Sequence, residues 1–233
     1  MRNFIFVFLL LSCFTYAQQE IISTDRPDQS EGVYTTPKGI LQVETGLTSR
    51  SKDLVSDTSL RYGVGKTTEI RFSSDIQHYG NTSIENIGIS AKQRIYTSNS
   101  WLPSITAVGY LNHTPNEDKK WSTDLTMAFE HSISENFSFD WNIGINQQFK
   151  GFIYTSILNF SPIETLNIFA EYFLNFGNIQ ANHNLDFGVM YAINPNFQID
   201  IALGQSIFSN DRNPFAVVGF SYRFKKLKKS QNL

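Results

Sequence analysis

Apolar and polar residues alternate in segment after segment from Gly39 to Phe224, and nearly every charge falls on one parity. Alternation with a period of two marks β-strands that carry one apolar and one wet face. In 137–145 the odd positions are Phe137, Phe139, Trp141, Ile143 and Ile145, whereas the even ones are Ser138, Asp140, Asn142 and Gly144. The pattern predicts twelve strands, at 39–50, 58–65, 67–77, 84–95, 102–112, 121–131, 137–147, 152–160, 166–176, 183–193, 197–207 and 214–224. Most are close to the roughly 9 to 11 residues that a tilted transmembrane strand requires. The chain therefore reads as all-β, a membrane-spanning up-and-down antiparallel β-barrel of about 12 strands.

The connections support this. One set is compact, among them Gly65-Lys66-Thr67, Ser134-Glu135-Asn136 and Asn194-Pro195-Asn196; the alternate set, such as His113 to Lys120, is more polar and mostly longer. Outer-membrane barrels of Gram-negative bacteria have short periplasmic turns and longer outer loops, which would place both termini in the periplasm. Aromatic residues near strand ends, including Tyr62, Trp101, Trp121, Tyr172 and Tyr222, fit two interfacial girdles. A soluble β-sandwich or lipocalin-like barrel also alternates, but it buries its apolar parity and exposes its charges. The last segment closes on Phe224, with Ala216, Val218, Phe220 and Tyr222 on the same parity. It resembles the C-terminal signature by which barrel-assembly machinery recognises its clients, although a basic tail, 225–233, follows the aromatic residue.

At the other end, Met1-Arg2-Asn3 precedes an apolar run from Phe4 to Leu11, and Ser12-Cys13-Phe14-Thr15-Tyr16-Ala17 then ends in a cleavage site after Ala17. Residues 1–17 read as a secretory signal peptide, too short to anchor a helix in a bilayer. The single cysteine, Cys13, lies within it, so the mature chain would have no thiol, disulfide or cysteine metal site. A formal net charge of −2 and 17% charged residues exclude nucleic acid as a partner, since phosphate binding needs a basic surplus.

Strand parity also sorts the charges. The cations assigned to the lumen, Arg61, Arg71, Lys92, Arg94 and Arg223, all fall on predicted strands two, three, four and twelve, which become neighbours once the first strand pairs with the last. Strands five to eleven contribute only acids: Asp124, Glu130, Asp140, Glu171, Asp186 and Asp200. Two outcomes are open. Opposed walls could set a field across a narrow aqueous passage that favours polar or zwitterionic solutes. Alternatively the charges pair with one another or with an internal plug, in a barrel filled by side chains.

Between the cleavage site and the first strand lies Thr24-Asp25-Arg26-Pro27-Asp28-Gln29-Ser30-Glu31-Gly32, continuing to Pro37-Lys38-Gly39 and Gln42-Val43-Glu44-Thr45-Gly46. This stretch resembles the N-terminal signature of an outer-membrane family labelled transporter or phenol meta-pathway degradation protein. The resemblance is densest from Thr24 to Gly46 and implies a β-barrel channel; the label reflects the operon context of some members and implies no phenol chemistry. Read from the residues alone, 18–38 is rich in turn formers and interrupted by Pro27 and Pro37. Asp25, Asp28 and Glu31 could reach the lumen cations while Arg26 meets an acid, making 18–38 a hatch in the periplasmic mouth of a barrel at 39–224. The alternative is a flexible leader outside it.

Catalytic signals are sparse. His78 has Asp75 and Ser83 nearby in sequence, but loop serines make such proximity common, and a triad needs all three groups in one place. No phosphate-binding loop, dinucleotide fingerprint or dense His and carboxylate cluster is present. The reading is a non-enzymatic channel in the cell outer membrane for passive passage of small polar solutes, needing no cofactor or metal. Its partners would be lipid, the solute and the assembly machinery. The alternatives are a filled structural barrel and an outer-membrane lipid hydrolase with a Ser and His pair on the lipid-facing rim.

Overall fold

A computed structural model describes residues 20–51, 53–78, 82–115, 121–146, 150–177, 180–209 and 212–224; the expected signal peptide at 1–17, with Cys13, and the basic tail lie outside them. Alternation produces twelve strands: β1 (Leu41–Arg50), β2 (Asp53–Gly63), β3 (Thr68–Gln77), β4 (Ser83–Tyr96), β5 (Ser104–His113), β6 (Trp121–Ser132), β7 (Phe137–Asn146), β8 (Gly151–Ile163), β9 (Leu166–Gly177), β10 (Gln180–Asn194), β11 (Phe197–Ile207) and β12 (Phe215–Arg223). Each pairs antiparallel with its sequence neighbours, and β1 pairs with β12 to close the barrel. The closing register sets Gln42 opposite Arg223 and Gly46 opposite Gly219. Closure removes the sheet edges, so every strand has partners on both sides, the condition for spanning hydrocarbon.

The two faces carry opposite chemistry. Phe187, Leu203 and Ile201 point outward and are 62%, 60% and 52% exposed, while Gln42, Glu69, Lys92 and Asp186 are fully buried inside. A soluble barrel would reverse this arrangement, burying apolar side chains and wetting the charged ones. The interior also holds an apolar patch on its far wall. Ile157, Phe169, Ala202, Phe215 and Val217 cluster there, with Phe173 and Met190 packed against them.

The main departure from the predicted strands is β2, which starts at Asp53 rather than at residue 58. Polar Ser56 and Thr58 occupy its outward parity near the rim and mask the alternation. The extension brings Asp57 inside the barrel.

Residues 20–40, ahead of β1, run through the interior. Near the compact turns the segment is tied down at both ends: Ile22 N–H donates to Pro195 O at 2.9 Å, and Gly39 N–H donates to Gly63 O at 2.7 Å beside a parallel bridge between Lys38 and Gly63. Gly39 has φ 75°, a left-handed conformation that glycine adopts without a Cβ clash, and it turns the chain into β1.

Candidate functional site

The middle of this segment lies on the cationic wall. Asp25 meets Arg61 at 3.1 Å, Arg71 at 2.5 Å and Lys92 at 3.0 Å. Glu31 meets Arg71 at 2.8 Å and Lys92 at 3.1 Å, and accepts the Tyr110 hydroxyl. The barrel adds Glu44, 2.6 Å from Arg61, and Glu69, 3.0 Å from Arg61 and 2.5 Å from Arg71. Three buried cations thus face four carboxylates, two of them from the N-terminal segment. Burial by itself would raise the Asp25 carboxyl; Arg61, Lys92 and Arg71 outweigh it and hold the group below the ordinary carboxylate range. Two of the cations, Arg71 and Lys92, contact both segment acids, so the three cations, Asp25 and Glu31 form one network rather than a set of separate pairs.

Arg26 crosses to the other side. Its guanidinium pairs with Asp57 and lies 3.5 Å from Asp200. It passes over the β1–β12 seam where Gly46 faces Gly219, and a Cβ at either glycine would collide with it. Here the close approach of a side chain to a sheet requires glycine on both strands.

On the acidic side, Glu171 accepts the Gln29 N–H at 2.8 Å and the Ser30 hydroxyl, which lies 2.7 Å from Thr155 Oγ1. Asn142 makes two bonds to the backbone of Glu31, accepting its N–H at 2.6 Å and donating to its carbonyl at 3.1 Å. Thr106 donates to Val33 O at 2.7 Å, and Gln198 donates to Thr24 Oγ1 at 2.7 Å. The segment therefore bonds to strands around the barrel, and the irregular backbone that a lumen would otherwise desolvate is satisfied by it.

The predicted site residues divide accordingly. Arg61, Arg71 and Lys92 come together on Asp25 and Glu31. Arg223 joins the N-terminal segment through backbone, donating to Glu20 O at 3.0 Å, while Arg94 donates to Lys66 O in the β2–β3 turn and stays out of the cluster. Among the acids, Glu171 and Asp200 meet the segment as above, and Glu130 accepts the Tyr34 hydroxyl at 3.1 Å. Asp140 accepts from Asn159 at 2.7 Å, Asp124 accepts from Asn112 at 2.8 Å, and Asp186 sits opposite Glu171 in the β9–β10 register. Asp28 does not join the cations as the sequence suggested. It faces the opposite wall, where burial and the negative charges of Glu171, Asp25, Asp186 and Asp140 push its carboxyl up.

Sequence reasoning missed Asp57, Asn142, Tyr110 and Gln198. Asp57 was recoverable, since it shares the parity of Arg61; the three others carry no charge to single them out. Of the catalytic candidates, Asp75 accepts from Asn86 at 3.3 Å inside the lumen and Ser83 bonds to Glu85. His78 Nε2 instead lies 2.8 Å from Ser56 Oγ on the outer rim. Among the described residues no group of three or more His, Cys, Asp or Glu side chains is arranged to hold a metal ion.

The segment separates two cavities. One, of about 860 Å³, lies toward the longer loops, with Gln29 and Glu31 in its floor and Asp75, Asn112, Asp124 and Asn184 in its walls. The other, of about 250 Å³, lies toward the compact turns and is lined by Asp28, Tyr34, Glu130, Asp140 and Gln198. Glu31 borders both.

Among solved structures, the KdgM porin in complex with disordered oligogalacturonate superposes with a TM-score of 0.66 at 12% identity, over 79% of this chain and 99% of that one. The COG4313 outer membrane channel from Pseudomonas putida F1 gives 0.65 at 10% identity, over 85% and 100%. The NanC porin gives 0.61 at 10% identity, over 78% and 98%. At such identities these likenesses speak to the fold, an outer-membrane barrel of the porin type. No curated protein matches the sequence. The sequence profile of the family described as "Putative MetA-pathway of phenol degradation" matches residues 24–224, so the segment and the barrel it enters are covered together. With nearly the whole described chain inside that match, the protein belongs to this family of outer-membrane β-barrels.

Proposed function

We propose that this protein is an outer-membrane channel for passive passage of small polar solutes, and that residues 18–38 act as a hatch across its lumen. The observation that carries this reading is the placement of buried charge. Arg61, Arg71, Lys92, Glu44 and Glu69 are all at most 6% exposed, inside a barrel whose outer face is apolar. Removing such charges from water requires matched partners, and a wet, partnered interior is what a solute path through a membrane needs. The cations named in the sequence are held largely by the hatch, so the path is ruled by a removable segment rather than by two bare walls. On this reading both termini face the periplasm, and the assembly machinery and outer-membrane lipid are partners.

The channel needs no cofactor and performs no chemistry. A hydrolase would need the Ser56 and His78 pair to be joined by an orienting group and an oxyanion site, and Asp57 and Asp75, the acids nearest to Ser56 and His78 in sequence, both point into the lumen. Single-channel recording in planar bilayers tests the proposal with the mature chain and a variant lacking residues 18–38. Discrete conductance that increases in the shortened chain is expected; silence from both would overturn the reading in favour of a filled structural barrel.

A further inference from the structure

The larger cavity is lined by side-chain amides. Asn86, Asn112, Asn142, Asn175, Asn182 and Asn184 converge on it from β4, β5, β7, β9 and β10. Each amide offers both a donor and an acceptor, whereas arginine and lysine only donate and carboxylates only accept. A hydroxyl group also both donates and accepts, so adjacent hydroxyls on one solute match an array of amides better than an array of charges. Phe173 supplies an apolar ring on one wall and Tyr110 another in the floor, surfaces on which the C–H face of a sugar ring can lie.

The charges lining this cavity narrow the class further. Asp75 and Asp124 border it, against Arg50 alone among the described arginines and lysines; Glu31 also borders it but is paired with Arg71 and Lys92 on its far side. An anionic solute would meet an excess of negative charge there. A volume of about 860 Å³ lies within the usual range for small-molecule sites.

We infer that this outer cavity is a binding vestibule for neutral polyhydroxylated solutes of sugar type, which it concentrates above the hatch and distinguishes from sugar acids. The inference rests on the channel reading for its purpose, but its test does not. Purified full-length protein is held in a zwitterionic detergent without a sugar head group, and saturation-transfer NMR is recorded with maltose and with galacturonate. The same preparation is recorded in planar bilayers in potassium chloride. Saturable maltose signals are expected, with galacturonate bound at least about tenfold more weakly, the scale of one lost or opposed polar contact. Asn112→Leu and Asn184→Leu should each weaken maltose about tenfold on the same scale, with an unchanged heat-dependent gel shift showing that the barrel is intact. If one variant does not fold, the other and the comparison of the two solutes still decide. Equal binding of galacturonate, or no maltose binding by protein that conducts, overturns the vestibule and leaves the channel standing. Maltose binding by protein that does not conduct supports the vestibule and overturns the channel.

Discussion

Asp25→Ala should release the hatch. Its carboxylate is shared by Arg61, Arg71 and Lys92 at 2.5 to 3.1 Å, and it also accepts the Gly32 N–H at 2.9 Å. The three cations are 2%, 6% and 0% exposed at their side chains, so water cannot replace the lost partner cheaply. Removing one partner from a buried ion pair costs about 3–5 kcal/mol. Glu44, Glu69 and Glu31 remain in place and keep the loss near the lower figure. About 3 kcal/mol shifts the docked-to-released ratio by roughly a hundredfold. The assay is thiol labelling: Ser30, within the segment, is 6% exposed where it docks, and the mature chain contains no cysteine of its own once residues 1–17 are removed. In Ser30→Cys, the rate of labelling by a water-soluble maleimide follows the released population when docking is fast. Adding Asp25→Ala should raise that rate by about two orders of magnitude. An unchanged rate would refute the reasoning that this cluster holds the segment, and labelling of Ser30→Cys alone at the rate of a free thiol would refute docking altogether.

Gly46→Val should displace the Arg26 guanidinium from Asp57 and Asp200, increasing conductance fluctuations while the barrel's gel shift is unchanged; a quiet trace identical to the parent would contradict the glycine seam. Asp28 has a docked-state pKa raised above its ordinary 3.8, so its contribution to docking is complete below that pH and is lost as pH rises through the raised value. Asp28→Asn should therefore flatten the rise of Ser30→Cys labelling with pH after correction for thiolate formation, and an undiminished slope would remove Asp28 as its source. Ile201→Arg, on the outward face of β11, should destabilise the protein in a bilayer by about 2–4 kcal/mol in denaturant titrations. A change within about 0.5 kcal/mol would point to a water-exposed face instead. Phosphatidylcholine vesicles should show no fatty-acid release above background, and a release abolished by Ser56→Ala would establish the hydrolase reading.

The barrel was legible because lipid outside and water inside enforce a strict period of two on nearly every strand. β11 spans 197–207 in both the pattern and the structure, and β7 differs by a single residue. Where the rim relaxes that demand the pattern fades, as at Ser56 and Thr58, and with it Asp57 was read as loop. The rule that the inward parity is polar also hid Phe169, Phe215 and Val217, which pack together inside the lumen. Charge complementarity pointed Asp25 and Glu31 toward the basic residues, yet it could not separate them from Asp28. An irregular segment has no period to fix which way each side chain turns; its course is set by bonds such as those from Asn142 and Thr106 to its backbone. The Ser56 and His78 contact joins residues 22 positions apart, so neither local spacing nor parity announces it.

The most direct test of a channel closed by its own N-terminal segment is single-channel recording of Ser30→Cys/Thr155→Cys, whose parent hydroxyl oxygens lie 2.7 Å apart. In oxidant the crosslink should fix the hatch and hold a low, steady conductance; added reductant should restore transitions to a larger one. Traces that are the same before and after reduction, with the crosslink verified on the protein, would contradict the account.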